Sequence, residues 1–223
     1  MKTYKNNLQT LSENLDYYLQ KTLCVGESFG GPSVYFHNRA LQQQMTDFLG
    51  GYHLDMVYAV LVAWNMHKKS GPKLVDFPVF QKNIYSQKGR LSDYKTTRMA
   101  EMATRPNDVA KLSKFMLDLE VSATPETQIV SCSKALHHII PNIVPPIDIH
   151  YSLKFMGIDD AGDYKAQVDS ARYFMSGMYD FIGAHEDKMK KYVFPGTYNS
   201  VLSKIYDNLI IAFVNENQLL KRK

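Results

Sequence analysis

The chain has 223 residues, of which 45% are hydrophobic and 22% charged, with 12 Gly, 9 Pro and 2 Cys. That length suits one large domain or two small lobes packed together, and the apolar fraction excludes general disorder. A formal charge of +4 permits a polyanionic partner without requiring one. Cys24 and Cys132 are too few and too far apart for a disulfide framework or a metal cluster. They read as free buried thiols in a reducing cytoplasm. Residues 1–23 lack the unbroken apolar core of a signal peptide, and the longest apolar stretch, Met56 to Trp64, is too short to span a bilayer. No membrane association is expected.

Leu8, Leu11, Leu15 and Leu19 repeat at helical spacing and predict a first helix over Tyr4 to Leu23. Gly26 to Pro32 breaks it, and Ser33 to Phe36 reads as a short extended piece. A helix from His37 to Leu49 follows, stopped by Gly50-Gly51. His53 to Lys69 is apolar around most of its circumference, which predicts a central helix. Asp76 caps a short helix to Tyr85, Gln87 to Asp93 is a polar connector, and Thr96 to Thr104 and Asn107 to Leu119 are helical. Ser131 to Ile140 is a short helix capped by Ser131 or Ser133. Pro141 to Pro146 is a proline-stiffened loop, after which Asp148 caps a helix to Met156. Lys165 to Phe181 is amphipathic, His185 to Lys188 is a charged turn, and Tyr198 to Gln218 is the last helix. No strand pattern, repeat or low-complexity tract is present. The expectation is an all-α fold of nine to ten helices. It forms either one globule or two packed lobes, with 1–120 and 121–223 as the natural division.

Charge is unevenly spread. Between Lys68 and Arg105 stand nine basic residues, including Lys68, Lys69, Lys73, Lys88, Arg90 and Arg98, against three acidic ones. This segment, about a sixth of the chain, is net +6 and the rest is net −2. A phosphate-contacting face and an ordinary solvated face both fit that pattern. Gly26 to Pro32 does not match a phosphate-binding loop, because no Gly-Lys-Ser/Thr follows. His137 and His138 are adjacent on one helix and point about 100° apart, a poor arrangement for chelation. His185-Glu186 lacks the second histidine of a zinc-protease motif. No metal site and no cofactor are indicated.

The informative segment is Ser131 to Phe155, SCSKALHHIIPNIVPPIDIHYSLKF. It predicts Lys134 in the first turn of one helix and Asp148 at the start of the next. A compact turn would then bring both to one cleft. The positive end of a helix dipole disfavours an ammonium ion, and burial adds to this. A neutral amine attacks a sugar C1′ to form a Schiff base, and a carboxylate stabilises an oxocarbenium-like sugar.

Pro146-Ile147-Asp148-Ile149-His150-Tyr151 resembles the P-V-D-x-H-hydrophobic signature of the helix-hairpin-helix DNA glycosylase superfamily. Ser131-Cys132-Ser133-Lys134-Ala135 is similar to the family's G-x-G-x-K-x-A-like hairpin, with serines for glycines and the lysine one place early. The resemblance covers about a ninth of the chain. It implies a two-lobed all-α fold and double-stranded DNA as partner. It also implies removal of a damaged base, with Asp148 as catalytic carboxylate and Lys134 as Schiff-base nucleophile. Without a cysteine cluster, an iron–sulfur centre is excluded. Trp64, Phe29, Tyr35 or Phe36 would stack on an extruded base, with His150 beside Asp148. The other readings are a non-catalytic helical module that binds nucleic acid or protein, and a plain scaffold. In these, Asp148 is only a cap, Lys134 is solvated and His150 is a local hydrogen-bond partner.

Overall fold

The computed structural model describes residues 2–29, 32–67 and 73–217. Helices α1 (Lys2–Glu13) and α2 (Leu15–Val25) are followed by α3 (Ser33–Thr46), α4 (Gly51–Ala63), α5 (Phe77–Ser86) and α6 (Lys88–Thr96). Then come α7 (Met99–Ala103), α8 (Pro106–Leu117), α9 (Gln128–Ile139), α10 (Lys154–Met156), α11 (Tyr164–Lys190) and α12 (Leu202–Glu216). Tight turns at Gly26–Phe29 and Pro125–Thr127, and a π-helical turn at Ile149–Leu153, link them. Among the described residues there is no strand, only an isolated bridge between Leu74 and Ser122. The all-α expectation holds. None of the described helices is long and apolar enough to cross a membrane.

Among the described residues there are twelve α-helices in place of the expected nine to ten, for local reasons. The first predicted helix is broken at Asn14, whose backbone (φ −115°, ψ 27°) leaves the helical region. Leu11, Leu15 and Leu19 still all reach the core, so the apolar period runs through the break. The stretch expected as a polar connector forms α6, of which only Leu91 is buried. A single apolar anchor is too weak a signal to recognise as a helix face. Ser33 to Phe36 are the first turn of α3 rather than an extended piece. The 185–188 segment is helical inside α11, where Lys188 reaches Asp16 at 3.0 Å and His185 lies 2.8 Å from the Ser12 hydroxyl. Its charges are therefore used against α1 and α2, not spent on a turn. Cys132 is buried as expected, with its thiol pushed up to about 12 by burial, but Cys24 is exposed on α2.

α12 runs through the middle, buried at every position from Ser203 to Val214, and packs on α2 and α11. α3 and α4 pack on each other and against α9, and α8 packs on both α9 and α11. One apolar cluster extends from Tyr4 to Val214. Burying a side chain such as Phe80, Phe155 or Phe174 contributes about 1.5–3 kcal/mol before cavity effects. The seam between α1 and α11 depends on Gly177. A Cβ there would lie 2.4 Å from the Tyr4 hydroxyl, which sits 3.0 Å from the Phe174 carbonyl and 2.7 Å from the Tyr206 hydroxyl.

α9 presents ten of its twelve residues to the core, leaving only Gln128 and Lys134 partly open. The 141–147 loop that follows is also buried, apart from Asn142, and is tied down through its backbone. The Tyr179 hydroxyl donates to the Ile143 carbonyl (2.7 Å), and the Ile147 N–H donates to the Ser133 hydroxyl (2.9 Å). A buried loop needs such partners. The serines predicted as helix caps serve inside the helix, because the preceding turn at Pro125–Thr127 starts α9 earlier, at Gln128.

Candidate active site

Lys134 and Asp148 meet. The ammonium nitrogen lies 2.7 Å from Asp148 Oδ2, with the two side chains 12% and 25% exposed. Three local bonds set the carboxylate. Its Oδ1 accepts the His150 N–H at 2.8 Å, its own N–H donates to the Ser152 hydroxyl at 3.0 Å, and its C=O accepts from Leu153 N–H at 3.0 Å. Asp148 is therefore the cap expected from sequence, on a π-helical turn. Burial pushes its carboxyl upward, but the Lys134 charge and hydrogen bond, with the His150 N–H, outweigh this. They hold it below the ordinary carboxylate range.

Lys134 does not occupy a first turn. It is the seventh residue of α9, so the helix-dipole argument does not apply to it. That argument applies instead to Lys204, the third residue of α12, which was not singled out from the sequence. Lys204 is 2% exposed, lies 2.5 Å from Asp207 Oδ2 and 2.8 Å from Asn208 Oδ1. Burial pulls its ammonium down despite Asp207, and burial pushes Asp207 up despite Lys204. The sequence did hold a signal for them. Ser203, Lys204, Asp207 and Asn208 form an i, i+3, i+4 polar stripe on a helix otherwise apolar all round, and buried polar groups at that spacing must serve one another.

Both pairs line one cavity of about 360 Å³. This lies within the range of small-ligand pockets, about 300–1,000 Å³. Aromatic side chains make its walls. Phe29 stacks on Tyr198 (ring centroids 5.7 Å apart, 28° between planes) and meets Tyr151 edge-on at 6.5 Å. Trp64 lies under both cations, 5.6 Å from Lys134 Nζ and 5.8 Å from Lys204 Nζ, while Lys204 Nζ is 4.3 Å from the Tyr198 ring centre. These are cation–π distances, and they help hold two ammonium groups in a poorly hydrated place. His150 also lines the cavity.

Of the stacking candidates, the structure brings Trp64 and Phe29 into the cavity and leaves out Tyr35 and Phe36. Once Ser33 to Phe36 are helical, Tyr35 turns to solvent, 61% exposed, and Phe36 packs on the core. The basic stretch is separate. Lys73, Lys88, Arg90 and Arg98 are exposed, belong to no ion pair among the described residues, and do not line the cavity. Lys68 and Lys69 lie outside the described residues.

The arrangement therefore offers aromatic surface to a planar group, beside an ionised carboxylate and a buried amine–carboxyl pair. Two carboxyls whose environments drive them apart suit acid and base roles in one site. No known protein family, curated protein or solved structure matches the chain.

Proposed function

We propose that the cavity accepts a nucleobase or nucleoside-sized group extruded from DNA and promotes cleavage of its N-glycosidic bond. The observation that carries this reading is the Lys134–Asp148 contact inside an aromatic-walled cavity. Asp148, kept ionised, stabilises positive charge developing at C1′ as the base departs. Phe29, Tyr198 and Trp64 hold the ring by its faces. The Lys204–Asp207 pair holds one proton between two groups that burial drives toward their neutral forms, and it delivers that proton to the leaving base. Lys134 acts as the charge partner that orients Asp148. To serve as a Schiff-base nucleophile it would have to leave its 2.7 Å contact with Asp148 Oδ2. Water then adds to C1′ in place of lysine, and the proton it releases returns to the Lys204–Asp207 pair.

The test is base release from duplexes carrying a panel of altered bases, with borohydride present in a parallel reaction. Release without an adduct on Lys134 is the expected result. An adduct on Lys134 would restore the nucleophile role. A non-catalytic nucleic-acid or protein interaction module is the second reading, favoured by the position of Lys73, Lys88, Arg90 and Arg98 away from the cavity lining. Salt-sensitive DNA binding with no base release from any duplex would establish that reading in place of the first.

A further inference from the structure

Behind the cavity wall lies a cluster that the reading above does not use. His37 on α3 and His137 and His138 on α9 are all 0% exposed, and one ring nitrogen from each lies within 4.8 Å of the others. His37 and His137 stack with centroids 5.7 Å apart, and His138 stands edge-on to each at 5.1 Å. Adjacency along α9 would splay His137 and His138, but the third ring from α3 closes the group.

Their hydrogen bonds define the protons. His137 Nδ1 lies 2.9 Å from the Val144 carbonyl and His138 Nδ1 lies 2.8 Å from the Lys134 carbonyl. A carbonyl only accepts, so both Nδ1 atoms carry hydrogen and both Nε2 atoms present lone pairs. His138 Nε2 is 3.0 Å from His37 Nδ1, which donates to it, and His37 Nε2 accepts from the Ser200 hydroxyl at 2.8 Å. His137 Nε2 is buried with no hydrogen-bond partner. An orphaned lone pair in a dry site costs about 1–3 kcal/mol and calls for an occupant.

We propose that His37, His137 and His138 form a buried zinc site, binding through His37 Nδ1 and the Nε2 atoms of His137 and His138. His37 moves its proton from Nδ1 to Nε2 and donates it to the Ser200 hydroxyl, so no proton need leave. Each ligand then has its far nitrogen hydrogen-bonded to an oxygen, of Ser200, Val144 or Lys134, which is the outer arrangement that histidine metal ligands require. Burial also keeps all three imidazoles neutral, the form that ligates. Three neutral imidazoles suit Zn²⁺, which takes nitrogen ligands without a strong geometric demand. Tetrahedral zinc places its ligand nitrogens about 3.4 Å apart, so the rings close in slightly. Lys204 is the cation that opposes the ion, and Asp207 offsets it. Trp64 stacks on His37 at 6.0 Å and Tyr198 lies 5.3 Å from it, so metal occupancy would fix two of the rings that wall the cavity.

The test uses the full chain, stripped with a chelator and then titrated with Zn²⁺ and, as a spectroscopic substitute, Co²⁺. One equivalent of zinc retained through desalting and a tetrahedral Co²⁺ absorption band are expected. His37→Gln, His137→Gln and His138→Gln should each weaken binding at least about tenfold, while His53→Gln should leave it within a factor of two or three. If a substitution in the trio prevents folding, as circular dichroism would show, the wild-type Co²⁺ spectrum decides alone. Folded wild-type protein that keeps no zinc and gives no tetrahedral Co²⁺ band would overturn the site. So would retention unchanged by all three substitutions. Asp148→Asn should keep its zinc whether or not base release occurs, so the two proposals fail separately.

Discussion

The cavity floor and the α5–α7 surface treat charge in opposite ways. On the floor, Lys134, Asp148, Lys204 and Asp207 face one another in two short pairs, none more than 25% exposed. On α6 and at the start of α7, Lys88, Arg90 and Arg98 stand in solvent in no ion pair among the described residues. The surface cations cost little to keep and attract any polyanion over a long range. The floor charges are costly to keep, and each is tolerated only because its partner is in place. Under the proposed function, the dense surface charge is the face offered to a polyanion, and the isolated charges in apolar helices are the groups assigned to chemistry.

That contrast can be broken most directly at Asp207. Asp207→Ala leaves Lys204 buried and unpaired and should cost about 3–5 kcal/mol in urea unfolding. The double change Lys204→Met, Asp207→Leu should recover most of it, because an apolar pair needs no partner. A loss below about 1 kcal/mol in the single variant would show that the floor pair behaves like a surface pair.

Asp148→Asn should separate chemistry from stability. Asparagine keeps the cap, so unfolding should cost only about 1–2 kcal/mol for the lost Lys134 charge, while base release falls by about 10²–10⁴-fold. Equal losses in both would mean that Asp148 is a cap and nothing more.

The two floor carboxyls should also diverge with pH. Asp148 is held below its unfolded value of about 3.9. Its contribution to stability is complete above that value and lost as pH falls through the folded one. Asp207 is held above its unfolded value, so its contribution is greatest below about pH 4 and is lost as pH rises. Chemical unfolding of wild type and Asp148→Asn should therefore converge as pH drops below about 4. Curves that stay parallel would show that Asp148 gains nothing from Lys134.

The smallest effects belong to the surface. Lys88→Ala and Arg98→Ala should change stability by no more than about 0.5 kcal/mol. Each should lower the salt slope of DNA binding by about one for every phosphate contact removed. A larger slope change from Lys134→Met than from these two would place the DNA on the cavity rather than on α5–α7.

Most of the helices were legible because apolar residues recur at 3.6-residue spacing. Leu11, Leu15 and Leu19, and Ala171, Phe174, Met175 and Met178, all reach the core as that period requires. α6 was missed because one leucine makes no period. Asp148 was legible because a cap is a local device that needs only its own N–H neighbours. Its meeting with Lys134 followed from the short, proline-bound connection, although the helix-terminus physics belonged to Lys204.

By itself the sequence determined the all-α class, the cap at Asp148 and the uneven spread of charge, since these depend on neighbours within a few residues. Only the tertiary structure decided that Lys204 and Asp207 join the Lys134–Asp148 pair, that Trp64 and Phe29 rather than Tyr35 and Phe36 wall the cavity, and that His37 completes a trio with His137 and His138. Those groupings arise where α3, α4, α9 and α12 converge. No short-range pattern specifies which faces of four helices distant in sequence will meet, because packing of the whole core sets that geometry.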